Sequence, residues 1–286
     1  MKPKFKSILY CVLAIVVMVL AQVIAMLVKA GLDAVHMPEP VCYLIAGVLY
    51  PVLTYTFISL FVKKIMHRDM PSFNIPKPGI RLRWFIIGIL LPVVVSVILM
   101  LFPGELIKGN VTPDPISNIF YNICFGAIGA AFAEEMIFRG VIMTLLKEQF
   151  GVKVAVLAPS IVFGLLHLIG AEISLMLILQ LFVAGTLVGI MFSLIALTEN
   201  SVWNSGIVHF FWNALTFSGV MLISNKVSEY SIFTYVLSTD SVILSGGDFG
   251  LDISIVSIIG YITVIMVAYK MLKGRNVDSE DDVEKA

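Results

Sequence analysis

Apolar runs long enough to cross a bilayer recur along almost all of this 286-residue chain, and nothing else in the sequence restricts its fold as strongly. Crossing the hydrocarbon takes about 20 residues of helix. Runs that meet or approach this length lie at about 8–29, 41–62, 84–102, 117–147, 153–169, 172–198, 202–223 and 253–272. The expected fold is therefore all-α, a polytopic transmembrane helical bundle of about eight spans. It forms a single domain over residues 1–276, with an acidic, disordered tail at 277–286. The chain is 59% hydrophobic and only 13% charged, against about 25% charged in a soluble domain. A net charge of +0 gives no basic surface for nucleic acid, which is excluded as a partner.

The first run is longer than the 7–15 apolar residues of a signal-peptide core, so it is read as a retained span. Cys11, Cys42 and Cys124 all fall in apolar runs and read as small buried residues. Basic residues set the orientation. Lys2, Lys4 and Lys6 precede the first span; Lys63, Lys64, Arg68, Lys77, Arg81 and Arg83 lie between the second and third; Lys147 and Lys153 lie between the fourth and fifth; and Lys270, Lys273 and Arg275 follow the last. The alternate loops are nearly free of them. Both termini are accordingly expected in the cytoplasm, with the protein a multi-pass component of a bacterial cell membrane. Small residues four apart, Gly126 and Ala130, Ala127 and Ala131, and Gly185 and Gly189, mark faces where helices pack closely.

Three segments interrupt the apolar pattern. They are "AEEMIFRG" at 133–140, "FGLLHL" with His167, and "HFFWN" with His209 and Asn213. A charge at the bilayer centre costs about 2.5–3.5 kcal/mol even on lenient scales. At 1.5 Å per residue, Glu134, His167 and His209 lie roughly 20, 21 and 15 Å from the basic or acidic residue flanking their helices. Similar depth on helices of alternating direction argues for one shared cavity. Glu135 and Arg139 are four apart in the favourable acid-before-base order and are expected to pair. Glu134, about 100° around the helix, then faces the cavity as a free carboxylate. Phe163 shares a face with His167 and walls the pocket. His209 and Asn213 point the same way and can both donate to a developing oxyanion. A carboxylate with a histidine suits activation of water.

At these residues the sequence resembles the CAAX prenyl protease and bacteriocin-processing (CPBP, or Abi) family. The pattern reads Glu134-Glu135-x-x-x-Arg139, Phe163-x-x-x-His167 and His209-x-x-x-Asn213, in order, within about residues 115–220, which would be the catalytic core. The resemblance implies an intramembrane endopeptidase. Glu134 would activate water with help from His167, His209 and Asn213 would form the oxyanion hole, and Glu135, Arg139 and Phe163 would support the site. It implies a peptide or membrane-protein substrate drawn from the lipid bilayer. No cofactor is expected to be required. The alternative is zinc held by Glu134, His167 and His209, although HExxH is absent. Two other readings compete, a non-enzymatic bacteriocin-immunity protein and a proton-coupled transporter. For the latter no internal repeat is visible.

Overall fold

A computed structural model describes residues 3–109, 111, 114–167 and 174–284. Among these residues six helices are long and apolar enough to cross a membrane. They are α1 (Pro3–Ala34), α2 (Glu39–Met66), α3 (Leu82–Met100), α4 (Pro115–Leu166), α5 (Leu175–Glu199) and a span at Ile255–Arg275 within the last helix, which runs Ile255–Glu284. The protein is a multi-pass integral membrane protein. In lipid a backbone must satisfy its own polar groups, which is why apolar runs of this length become helices. Between α5 and the last helix lies α6 (Val202–Thr216), only 15 residues long. The last helix is α7 below.

The eight expected runs map onto these rods with two revisions. Runs 117–147 and 153–169 are two arms of α4, divided at Gly151, whose φ of 82° and ψ of 171° break the helix. Glycine takes this conformation without a Cβ penalty. The second revision concerns run 202–223. The helix stops at Thr216, Gly219 turns the chain with φ 79°, and Met221–Ser224 forms a strand. The apolar-run rule cannot register a Ser-Gly break inside an oily stretch. The end of the fifth run and the start of the sixth lie outside the described residues.

That strand, β2 (Met221–Ser224), belongs to a small sheet with β1 (Gly104–Lys108) and β3 (Phe233–Leu237), in the order β1-β3-β2. β1 pairs antiparallel to β3, and β2 parallel to it. The sheet joins loops from different helix ends, which no local periodicity announces.

Helix ends follow capping chemistry. Asp114 accepts from the N–H groups of Ile116 and Ser117 at 3.3 and 3.0 Å, with Pro115 at the first helical position. The Ser117 hydroxyl and N–H hold the Asp114 carboxyl below its ordinary range. Ser201 caps α6, and Asn200 ends α5 in the left-handed region.

α6 sits inside the bundle, packed by α3, the first arm of α4, and α5. Its entry is fastened by the polar 67–81 loop. Asn74 accepts from the Val202 N–H at 2.9 Å, Pro76 from Trp203 Nε1 at 2.7 Å, and the Arg81 N–H donates to Asn204 Oδ1 at 2.8 Å. Trp84 is fully buried and donates to Glu199 at 2.7 Å. The three cysteines are free and buried.

Close helix approach is realised at Gly185 and Gly189. A Cβ on Gly185 would stand 2.8 Å from Gly164 Cα, and one on Gly189 2.8 Å from Ser160 Cα. Replacing Gly185 with Val is therefore expected to force α5 from the second arm of α4 and to cost roughly 1–3 kcal/mol. A lowered melting temperature of the purified protein is the measurement. Gly126 behaves differently, since a Cβ there would meet nothing nearer than 3.9 Å.

Candidate active site

Two stretches of α4 are wound wider than an α-helix, Tyr121–Gly129 and Met136–Ile142, with the α-helical turn Ala130–Glu135 between them. Such π segments cluster at functional sites because they displace side chains from the regular spiral. The intervening turn carries both glutamates. Glu135 is fully buried and its Oε1 lies 2.9 Å from Arg139 Nη1, the ion pair expected from their spacing. Glu134 keeps 24% of its side chain exposed.

Arg139 is buried among aromatic rings. Its guanidinium carbon lies 4.8 Å from the centre of Phe163 and 5.3 Å from that of Phe192, distances at which a cation is attracted to the ring face. Its Nη2 also donates to the Gly189 carbonyl at 3.3 Å. The absence of a side chain at Gly189 thus serves two contacts, the approach of the helices and the reach of the arginine.

His209, on α6, stands between the glutamates. Nδ1 is 3.3 Å from Glu135 Oε1, and Nε2 is 4.0 Å from Glu134 Oε2. An ionised carboxylate only accepts hydrogen bonds, so Nδ1 carries a proton toward Glu135 and Nε2 faces Glu134. The ring is stacked on Phe192 with centroids 4.6 Å apart. The 4.0 Å gap suits one water bonded to both groups, at about 2.8 Å from each.

His167 ends the second arm of α4. Its Nδ1 lies 2.7 Å from the Phe163 carbonyl, to which it donates. Its ring centre is 4.7 Å from that of Phe163. Asn213, one turn beyond His209, donates one amide N–H to the Gly126 carbonyl at 3.1 Å, which leaves its second N–H for another acceptor. Gly126, read from sequence as a packing residue, is a hydrogen-bond acceptor for the site.

Glu134, Phe163, His167, His209 and Asn213 all line one cavity of about 280 Å³. Glu135 and Arg139 lie behind it. Leu181, Ala184, Gly185 and Val188 of α5 give the cavity an apolar wall. Several lining residues were not singled out from sequence. Phe192 and Trp212 were hidden among other aromatics of an oily chain. Asp252, in the Gly247–Ile253 turn of 3-10 helix before α7, also reaches the cavity. Its only sequence signal is an acid in the Gly-rich "GGDFGLDIS" between apolar runs.

Among the described residues no three His, Cys, Asp or Glu side chains gather closely enough to hold a metal ion. Glu134, His167 and His209 share the cavity but do not form the ligand set that zinc would need.

Residues 116–215 match the family model described as Type II CAAX prenyl endopeptidase Rce1-like. The matched segment holds every residue of the three sequence motifs. No curated protein and no solved structure matches the chain.

Proposed function

Residues 116–215 belong to the CPBP family of membrane peptidases, and from that premise we propose that the chain hydrolyses peptide bonds with a water activated by Glu134. The observation that carries this reading is the meeting of Glu134 Oε2 and His209 Nε2 at 4.0 Å, in the cavity shared with His167 and Asn213.

The water between the two groups gives a proton to Glu134 as its oxygen bonds to the scissile carbonyl carbon. The carbonyl π pair moves onto oxygen. That oxyanion accepts the second amide N–H of Asn213, whose position is fixed by its bond to Gly126. Glu134 then passes its proton to the peptide nitrogen; the oxyanion pair re-forms the C=O bond as the C–N bond breaks, releasing the amine and leaving the new carboxyl group. His209 orients the water through Nε2. His167 supports Glu134 from the same cavity wall. Glu135 and Arg139 act through His209, holding its ring and tautomer as a second layer holds a metal-site histidine.

The apolar wall from α5 suits a substrate segment arriving from lipid, and the family's description makes a lipid-modified or membrane-embedded peptide the natural class. Cleaved products are expected in membranes of cells expressing the wild type and absent with Glu134→Gln; identical peptide profiles would refute the reading. Asn213→Ala is expected to lower kcat by about 10²–10³-fold with little change in KM, the behaviour of a donor used mainly in the transition state. A purely raised KM in steady-state assays would reassign Asn213 to substrate binding.

A further inference from the structure

Behind the hydrolytic cavity lies a second one of about 390 Å³, bordered by β2 and the 226–230 loop. Phe217, Phe249 and Asp252 line both. The division between the two spaces is therefore built from these side chains. The outer space is the more hydrophilic in its residues, with Ser224, Lys226, Ser228 and Glu229 on its lining.

Asp252 is held firmly in this wall. Trp212 Nε1 donates to its Oδ1 at 2.7 Å, and the Tyr261 hydroxyl donates to its main-chain carbonyl at 2.8 Å. The neighbouring Ile253 carbonyl accepts from the buried Gln180 side chain at 2.7 Å. Asp252 and Asn213 both line the hydrolytic cavity. Its hydrogen-bond partners are neutral, and none of the ion pairs found among the described residues involves it. Burial pushes its carboxyl up to about 7, against the opposing pull of Trp212 and Thr216. A cation delivered to a carboxylate in such a wall is stabilised more than one meeting a solvated acid.

An extended peptide advances about 3.3 Å per residue. With its scissile carbonyl at Glu134 and Asn213, the adjoining residues must continue along the cavity, and the wall at Asp252 separates that cavity from a second space lined by polar side chains. We propose that the outer chamber is a polar extension of the substrate groove, and that Asp252 is a specificity residue selecting a peptide with Lys or Arg at the position that crosses the wall. This rests on the hydrolytic reading above and deepens it by naming a substrate class.

The test uses the purified full chain in lipid nanodiscs and a set of apolar decapeptides. In each, one position carries either Lys or its uncharged analogue norleucine. At one position Lys is expected to raise kcat/KM roughly tenfold over norleucine, the size of one charge-assisted hydrogen bond. Asp252→Asn, which preserves an acceptor for Trp212, is expected to bring that ratio close to one. A Lys preference at no position, or one that persists in Asp252→Asn, overturns the proposal; the latter result would leave Asp252 as a brace for Trp212. The same peptides are measured for binding to Glu134→Gln. If the wild type cuts none of them the hydrolytic reading fails, and the Lys-to-norleucine affinity ratio, with and without Asp252→Asn, then decides the selectivity by itself.

Discussion

Glu134→Gln is expected to bind substrate and fold as the wild type does, yet to lose turnover by about 10²–10⁴-fold, the usual contribution of a positioned general base. The replacement is nearly isosteric. It keeps an oxygen that can accept from the water but removes the charge that takes its proton. Stability should hardly change, because Glu134 is the partly exposed member of the pair and makes no ion pair with Arg139, whereas Glu135 does. A peptide-cleavage assay on reconstituted protein, with a melting curve from the same sample, separates the two quantities. Normal turnover in Glu134→Gln would remove the base from the mechanism. A collapsed melting temperature would show instead that the carboxylate holds the fold.

Arg139→Leu should give the opposite pattern, a loss of stability first and of activity as a consequence. Arg139 and Glu135 have side-chain exposures of 1% and 0%. Removing one member of a buried pair leaves the other as an uncompensated charge, at a cost of about 3–5 kcal/mol. Here the abandoned group would be Glu135, whose Oε2 already has no hydrogen-bond partner among the described residues. Its remaining contact would be His209 at 3.3 Å, so the change also loosens the ring that faces Glu134. Replacing both residues, as Glu135→Leu with Arg139→Leu, should recover much of the stability and none of the activity, because no charge is then stranded but His209 has lost its anchor. Chemical-denaturant midpoints for the two singles and the double make the cycle. Additive losses would show that the pair is not coupled.

Parts of this site are legible in the sequence because they are local. Residues four apart on a helix meet whatever the fold around them, so Glu135 and Arg139 could be paired from spacing alone. The same holds for the close-packing pair Gly185 and Gly189, which repeat at the spacing of one helix face. Gly126 shows the boundary of such reasoning. It has the same spacing relative to Ala130, but a wide helical turn puts its carbonyl to use for Asn213. His209 marks another limit. Its spacing from Asn213 suggested two donors, but the choice of ring nitrogen is made by Glu135, a residue of a different helix.

The sequence by itself determined the solvent of this protein and the rods within it. Hydropathy is a property of contiguous residues, and apolar runs of bilayer length have helix as their answer wherever they occur. It also determined which polar groups were too costly to be incidental. Only the tertiary structure decided that α6 ends at Thr216 ahead of a strand, that Glu134 and His209 stand 4.0 Å apart, and that Asp252 lines the cavity with Asn213. These facts depend on contacts between segments far apart in the chain, where packing and backbone breaks at glycine set the distances and no periodicity records them.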